Sequence, residues 1–258
     1  MEKKALDIII LSFAKDENLK LITQQGIDTL LASEKDSDVQ FNILVLESNK
    51  GLAPFQYANA HTIYPKQKFG FNKYINIALK QTANPYVCIA NNDLIYKENW
   101  ADEILLAFRQ DPSLKSASPI CSIHHPLNEN IQANSGTYPG YQIRREISGW
   151  CIVFKRELLK TVNPFDEKFE FWYCDNDYAM TLEKHQIKHA LVSSSIVDHL
   201  ESITLKTESE ASKNRLTTKA NLYFIYKWRH KNYLLYRYHL LRYHFPVLLK
   251  LEALLRKK

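Results

Sequence analysis

The first half of the chain alternates nearly continuous apolar runs with amphipathic segments. Three runs rich in Ile, Val and Leu are typical of strands buried on both faces of a sheet, at residues 6–13, 41–48 and 86–91. Three segments space their apolar residues as one face of a helix does, at residues 17–33, 71–82 and 100–110. Strands that alternate with helices over short connections predict an α/β fold with a parallel sheet and right-handed crossovers.

The second half has a weaker pattern. Residues 112–148 are rich in Pro, Ser, Asn and Gly, which predicts an irregular loop. Residues 149–162 predict a strand that runs into a helix, and a further helix starts near Asp175 and leads to a short strand. From residue 214 to the end the helical pattern is almost uninterrupted and breaks only at Pro246.

The charge of the chain divides it into two parts. The composition, with 45% hydrophobic and 24% charged residues among 258, is that of an ordinary globular protein. The net charge of +6 is uneven, because residues 205–258 hold 13 basic and 3 acidic side chains. We therefore predict a mildly acidic main domain over residues 1–204, followed by a basic, amphipathic helical extension over residues 205–258.

Several classes of protein are disfavoured. No apolar run approaches the roughly 18 residues of a membrane-spanning helix. The N-terminal apolar run carries Asp7 and lacks a small-residue cleavage site, which argues against a secretory signal. The four cysteines form no C-x-x-C pair, and Cys88 and Cys151 lie in apolar runs, so buried free thiols and a cytoplasmic location are expected. The phosphate-loop motif of P-loop NTPases is absent.

Polar side chains follow the predicted strands, where parallel sheets bind their ligands. Ser12 and Glu47 end the first two strands, and Asn91, Asn92 and Asp93 end the third. An Asp after a strand is commonly a turn device, because its side chain bonds neighbouring backbone groups. The same carboxylate is also the hard oxygen ligand that a divalent cation takes when it bridges two phosphates. Both interpretations stay open on these residues alone.

Residues 165–180 combine acidic and aromatic side chains. A helix N-terminus favours one or two acids, with Asp175 as the cap, but it does not account for a cluster walled by aromatic rings. Aromatic walls exclude water and suit a carboxylate that acts as a general base on a hydroxyl. His199 follows an apolar strand, and a lone histidine in such a place is more often structural than a ligand. The acids are Asp166, Glu167, Glu170, Asp175 and Asp177.

Read in order, these segments resemble the family 2 inverting glycosyltransferases of GT-A fold. The likeness rests on the N-N-D after a strand, G-W-C-I-V-F-K-R-E-L-L, F-D-E-x-F, Y-C-D-N-D and a final V-x-H, and it spans about residues 5–230. It is closest to the bacterial branch that builds lipopolysaccharide, capsule and rhamnose-containing glycans. The resemblance implies a Rossmann-like, mostly parallel central sheet flanked by helices.

The resemblance also implies a set of donor-binding residues. Glu47 stands where the family places an Asp that hydrogen-bonds the base, and Asn91 and Asn92 stand in the D-x-D segment that meets the diphosphate. The first-strand loop borders the nucleotide, and the G-F-x-x-x-x-N segment lies under the sugar nucleotide. The whole implied set is Ser12, Phe13, Glu47, Gly70, Asn76, Asn91 and Asn92.

The remaining implied roles are catalytic, acceptor-binding and metal-binding. Asp175 matches the second residue of the family's E-D pair, the usual catalytic base, with Cys174 in place of the first. Asp93 and His199 are implied to hold a divalent metal, Mn²⁺ or Mg²⁺, and the imidazole favours manganese. The implied acceptor-binding residues are Trp172, Tyr173 and Asp177.

The expected activity is the transfer of a sugar from a UDP- or dTDP-linked donor to a glycan or lipid-linked acceptor. One in-line displacement needs a base for the acceptor hydroxyl and a cation for the departing diphosphate. The apolar face after Pro246 has basic flanks, so we expect peripheral contact with the inner face of the cell membrane and no nucleic-acid partner. The alternative for this face is a helix that packs on the catalytic domain or pairs with a second copy of the chain, so a homo-oligomer is open.

Two alternatives remain at this point. A non-catalytic protein that binds nucleotide sugars, or a membrane scaffold, is compatible with the reduced D-x-D segment and the basic extension. A metal-dependent nucleotidyltransferase shares the parallel sheet and the metal carboxylates, but it usually has a Gly-rich, basic phosphate loop near the first strand. Residues 12–20 contain two lysines and no glycine.

Overall fold

The computed structural model describes residues 4–162, 164–200 and 210–245. The strands are β1 Ala5–Ser12, β2 Gln40–Glu47, β3 His61–Ile63, β4 Tyr86–Asn91, β5 Leu94–Tyr96, β6 Leu114–Ile120, β7 Thr137–Pro139, β8 Cys151–Lys155 and β9 Lys188–His199. The helices are α1 Glu17–Ala32, α2 Phe71–Leu79, α3 Trp100–Gln110, α4 His124–Asn128, α5 Leu159–Val162, α6 Cys174–Lys184, α7 Glu210–Phe224 and α8 Tyr233–His244, with a π-helical segment over Ile225–His230.

The strands form one mixed sheet in the order β3-β2-β1-β4-β8-β6-β9-β5, and β7 also pairs with β9. Strands β3, β2, β1 and β4 are parallel, and β6 is parallel to β9. Strand β8 is antiparallel to both of its neighbours, β4 and β6. All the long strands except β8 therefore point the same way, and their carboxyl ends meet at one edge of the sheet.

Strand β1 is buried on both faces, which explains its continuous apolar sequence. Ile8 and Ile10 pack into the core beneath α1 and α3, where Trp100 is fully buried. Ile9 points to the opposite face and joins the core beneath α2 and α6, which includes Leu182. The predicted alternation of strands and helices in this half of the chain is confirmed.

The prediction of an irregular loop over residues 112–148 is wrong, because β6 lies within it and pairs inside the sheet. Its sequence hides the strand, since two of its buried residues are serines whose hydroxyls are hydrogen-bonded. Ser116 Oγ lies 2.8 Å from Tyr178 Oη, and Ser118 Oγ accepts a hydrogen bond from Ser148 N at 3.1 Å. Strand β9 is also longer than predicted, with 12 residues.

A buried acid, Asp7, connects four parts of the chain at the opposite edge of the sheet. Its carboxylate accepts hydrogen bonds from Arg156 Nη2 at 2.6 Å, Asn42 Nδ2 at 2.6 Å and Asn84 N at 2.7 Å. These partners neutralise and solvate a charge that would otherwise be costly to bury. An acid can therefore lie within an otherwise apolar strand.

The helical extension packs on the acidic and aromatic segment. Tyr223 and Phe224 of α7 contact Phe169 and Cys174 in one apolar cluster. The prediction of an unbroken helix up to Pro246 is wrong at Lys231, which has φ of +47° and separates the π-helical segment from α8. Pro246 and the apolar face predicted beyond it lie outside the described residues. Within the described ranges, no helix is long and apolar enough to cross a membrane.

The four cysteines are free and buried, as predicted for Cys88 and Cys151. These two lie on neighbouring strands, and their sulfur atoms are 3.7 Å apart. They behave as small apolar residues in the core beneath α1 and α3.

Candidate functional site

Strand pairing places Asp93 beside His199, although the two are far apart in the sequence. Strand β5 pairs with the end of β9 so that Leu94 is opposite His199, and Leu200 N donates to Asp93 O at 3.0 Å. Asp93 Oδ1 and His199 Nε2 are 3.2 Å apart. The imidazole also stacks on the indole of Trp150, with ring centroids 5.3 Å apart and an angle of 8° between the planes.

The Asp93–His199 pair fits a divalent cation. Adjacent ligands of one octahedral ion are about 3 Å apart at ordinary bond lengths, which is the separation of these two atoms. A carboxylate oxygen and an imidazole nitrogen suit Mn²⁺ or Mg²⁺. In the described part of the chain no group of three or more His, Cys, Asp and Glu surrounds one point. Asp93 and His199 are therefore two candidate ligands, and phosphate and water would supply the others.

A hydrogen-bond network connects the implied nucleotide residues to the segment after β4. Glu47 is fully buried, and its carboxylate accepts from Tyr57 Oη at 3.0 Å and from Asn49 N at 2.7 Å. Ser12 Oγ lies 3.3 Å from both Tyr57 Oη and Thr23 Oγ1. Asn92 Nδ2 in turn donates to Thr23 Oγ1 at 2.9 Å. The ends of β1, β2 and β4 are thus held together by side chains.

Burial raises the pKa of Tyr57 to about 12, and the Glu47 charge beside it adds to the effect. The hydroxyl therefore stays protonated at neutral pH and donates to Glu47. Tyr57 and Thr23 were not identified from the sequence, because neither follows a predicted strand. No feature of their local sequence marks them.

Besides Asn91, whose side-chain amide lies 3.4 Å from His199 Nε2, three implied donor residues lie outside this network. Phe13 is exposed after β1, and Lys15 Nζ lies 5.1 Å from the centre of its ring. Gly70 is the N-cap of α2. The side-chain amide of Asn76 is hydrogen-bonded to the backbone of Phe165. It donates to Phe165 O at 2.9 Å and accepts from Phe165 N at 3.0 Å. Asn76 thus holds the start of the acidic segment, and the donor-binding roles of all three residues remain predictions.

A cavity of about 450 Å³ opens at the carboxyl edge of the sheet. It brings together five of the residues singled out from the sequence: Asn91, Trp172, Tyr173, Asp175 and His199. The other implied residues do not line it. The cavity is open to solvent on one side, and its walls are mainly aromatic and apolar.

Asp175 lies in the first turn of α6 and faces this cavity. Its Oδ1 accepts from Asn176 N at 2.9 Å. A Cβ atom at Gly149 would lie 2.7 Å from Asp175 Oδ2, so glycine alone allows this close approach. Burial raises the pKa of Asp175, although backbone N–H groups and the charge of Arg144 partly oppose the rise. A carboxylate with a raised pKa is a stronger base once ionised.

Two other acids of the segment bind the helical extension, in what we call the Lys227 cluster: Asp166, Asp177, Tyr223, Lys227 and Trp228. Lys227 Nζ lies 2.8 Å from carboxylate oxygens of both Asp166 and Asp177. Tyr223 Oη donates to Asp166 at 2.8 Å, and Trp228 Nε1 donates to Asp177 at 2.7 Å. Asp177, implied to bind the acceptor, is therefore directed towards the extension and does not line the cavity.

The last two acids are also paired. Glu170 accepts from Lys219 Nζ at 2.8 Å, and Glu167 accepts from Asn76 Nδ2 at 3.1 Å. Four of the five carboxylates thus have partners that hold the segment in place. Asp175 is the one whose carboxylate lines the cavity.

Sequence reasoning missed three residues of the cavity wall: His124, Arg144 and Trp150. Trp150 precedes β8, and its carbonyl accepts from Asn91 N at 2.8 Å. The ring of His124 lies 5.3 Å from that of Trp150. The G-W-C segment could have identified Trp150. Strand β8 starts within this segment and is antiparallel to β4, so it begins at the edge of the sheet where β4 ends. His124 and Arg144 lie in the segment predicted to be irregular, and no pattern there marks them.

Comparison with known proteins shows the fold. No protein-family model matches the chain, and no curated protein sequence matches it. Its structure is similar to that of GalNAc-T7 with UDP, GalNAc and Mn²⁺, with a TM-score of 0.60, 10% sequence identity and coverage of 90% of this chain and 52% of that one. The chain thus spans about half the length of this relative.

Two further structures are similar. Residues 1–349 of Staphylococcus aureus TarS give a TM-score of 0.57 at 13% identity, covering 90% of this chain and 74% of that one. The catalytic domain of Drosophila β1,4-galactosyltransferase 7 with xylobiose gives 0.51 at 13% identity, covering 79% of this chain and 74% of that one. These structures are glycosyltransferases of the GT-A type, so the predicted GT-A fold is confirmed.

Replacing Lys227 with Met is expected to loosen the extension. The change leaves two carboxylates without their shared cation, and we expect a loss of about 2 kcal/mol in the free energy of unfolding at pH 7. Burial opposes ionisation of Asp166, but Lys227 and Tyr223 hold its pKa below the ordinary value. Burial keeps the pKa of Asp177 raised. The loss should therefore shrink between pH 7 and pH 4 as Asp177 becomes protonated, and shrink further only below the lowered pKa of Asp166.

Urea unfolding at pH 7 and pH 4, with hydrogen exchange of residues 217–224, measures both effects. Arg229→Met is the matched control, because Arg229 is exposed on the same π-helical segment. Equal stability of the two variants at pH 7 would show that Lys227 does not hold the extension.

Proposed function

We propose that this protein is an inverting, metal-dependent glycosyltransferase that uses a UDP- or dTDP-linked sugar. The acceptor is a glycan or a lipid-linked glycan of cell-surface polysaccharide synthesis. The observation that carries the proposal is a half-buried carboxylate, Asp175, facing the same cavity as His199, whose imidazole adjoins Asp93. A base and a candidate cation site thus border one cavity in a GT-A fold.

The reaction needs a single displacement. The acceptor oxygen attacks the anomeric carbon, the bond from that carbon to the phosphate oxygen breaks, and the proton of the acceptor hydroxyl passes to Asp175. The nucleoside diphosphate leaves with the electron pair, and attack from the face opposite to it inverts the configuration at the anomeric carbon. Apolar and aromatic walls surround the base on the sides that face the protein, so a bound acceptor would cover the side that is open to solvent.

The donor side is supported by the hydrogen-bonded ends of β1, β2 and β4. The network of Glu47, Tyr57, Ser12, Thr23 and Asn92 fixes a polar edge where the nucleotide would bind. A divalent cation between Asp93 and His199 would neutralise charge on the departing diphosphate. GalNAc-T7, which shares the fold, was crystallised with UDP and Mn²⁺.

The acceptor side is supported by Trp172 and Tyr173, which line the cavity next to Asp175. Tyr173 has φ of +67°, a conformation that costs energy in a non-glycine residue and is common at functional sites. Its ring packs on Phe224 of the extension at 5.1 Å between centroids. The extension therefore supports the wall that would contact the acceptor.

Peripheral membrane contact is part of the proposal and is supported by α8. Leu234 is 80% exposed and Leu241 is 49% exposed, and Arg237 and Arg242 lie on the same helix. The helix contains no acidic residue. Apolar and basic side chains together favour binding to an anionic lipid surface, by roughly 1 kcal/mol for each basic residue near it.

Asp175→Asn is expected to lower turnover by about 10²- to 10⁴-fold while nucleotide affinity stays nearly unchanged, because only the proton acceptor is lost. In the wild-type protein the rate should rise with pH through the raised pKa of Asp175, since the ionised form is the base. This rise of the rate with pH should be missing in Asp175→Asn. Donor-consumption assays across pH, with Asp177→Asn compared, measure both effects. Unchanged turnover in Asp175→Asn would contradict the assignment.

The membrane contact predicts sedimentation of the full-length protein with vesicles containing phosphatidylglycerol, and less with pure phosphatidylcholine. Added salt should weaken the binding. The double variant Leu234→Asp, Leu241→Asp should lose it, whereas Leu21→Asp, at a position 63% exposed on α1, should retain it. Equal sedimentation of both variants would show that α8 does not contact lipid.

A further inference from the structure

Arg144 lines the cavity and has an exposed side chain. Among the described residues, no carboxylate lies within ion-pair distance of its guanidinium. The adjacent arginine differs sharply, because Arg145 pairs with Glu146 at 2.8 Å and with Glu129 at 3.6 Å. The two neighbouring arginines therefore have different environments. Arg145 forms ion pairs with Glu129 and Glu146, and Arg144 lines the cavity.

The loop around Arg144 is held in one shape. The carbonyl of Gln142 accepts hydrogen bonds from three backbone N–H groups, those of Arg145 at 3.3 Å, Glu146 at 3.0 Å and Ile147 at 3.0 Å. Arg144 N donates to Ile147 O at 2.9 Å, and Arg144 has φ of +71°. An arginine in this conformation is strained, and such strain is typical of ligand-binding positions. These hydrogen bonds thus hold the backbone of Arg144 in place at the cavity.

The charges of the cavity are few. Among the described residues that line it, Arg144 is the single Lys or Arg and Asp175 is the single acid. The two are close enough for the charge of Arg144 to lower the pKa of Asp175 against the effect of burial. Arg144 therefore lines the same cavity as Asp175, the residue that would take the proton of an acceptor hydroxyl.

We propose that Arg144 binds an acidic group, a carboxylate or a phosphate, on the acceptor. This inference rests on the proposed function, which places the acceptor at Asp175. A guanidinium pairs with either group through two parallel hydrogen bonds, which gives orientation as well as affinity. An acid held by Arg144 fixes the position of the acceptor, so that one hydroxyl faces the base. The acceptor is accordingly an acidic glycan.

Three small ligands test this proposal by NMR titration of the full-length protein: methyl β-D-glucuronide, methyl β-D-glucoside 6-phosphate and the neutral methyl β-D-glucoside. At least one acidic ligand should bind about tenfold tighter than the neutral one, as a charge-assisted hydrogen bond predicts. The preference should fall as salt is added. Equal affinity of all three ligands would overturn the proposal.

Substitutions at Arg144 and Arg145 test which residue produces the preference for the acidic ligands. Arg144→Gln should abolish the preference for the acidic ligand, and Arg144→Lys should retain part of it, because lysine keeps the charge but not the two-pronged geometry. Arg145→Gln should lower stability and leave the preference intact. A preference that persists in Arg144→Gln would overturn the assignment.

A second titration separates this proposal from the proposed function. If Arg144→Gln weakens UDP binding in the presence of Mn²⁺ as strongly as it weakens acid binding, Arg144 holds the donor diphosphate and the acceptor proposal is wrong. If the wild-type protein binds the acidic ligands but no nucleoside diphosphate, the proposed function fails while the acid-binding assignment of Arg144 holds.

Discussion

The antiparallel pairing of β8 with β4 and β6 is the constraint on which the candidate site depends. Because β8 runs against its neighbours, it begins at the edge where they end. That reversal brings Gly149 against Asp175 and Trp150 against His199, and it connects the carbonyl of Trp150 to Asn91. A parallel β8 would place Gly149 and Trp150 at the opposite edge of the sheet, and the cavity would lose both of these lining residues.

The helical extension pairs with three of the five acids in the segment before it. Residues 165–177 carry five carboxylates, and like charges at that density repel one another unless cations and hydrogen-bond donors intervene. Lys227 and Lys219 supply the cations from the extension, and Asn76 supplies a donor from α2. Asp175 is half-buried, accepts a hydrogen bond from the backbone of Asn176, and has no side-chain partner among the described residues. It is the one of the five whose carboxylate lines the cavity.

The sequence predicts the first half of the fold well, because β1, β2 and β4 are buried on both faces and their apolar runs are unambiguous. It fails at β6, where Ser116 and Ser118 are buried and their hydroxyls are hydrogen-bonded to other parts of the chain. Serines at these positions give the strand a sequence that is typical of a loop. Asp175 and His199 could be singled out because each follows a recognisable segment. Arg144 and Lys227 could not, since their roles arise from contacts with residues distant in sequence.

The central claim, a nucleotide and metal site at the carboxyl edge of the sheet, is tested most directly by thermal unfolding with nucleoside diphosphates. With Mn²⁺, UDP or dTDP at about 100 times its Kd should raise Tm by about 5–10 °C, because it binds only the folded state. The shift should vanish in excess EDTA and in Asp93→Asn. The absence of any shift with every nucleoside diphosphate, or an equal shift in EDTA, would contradict the account.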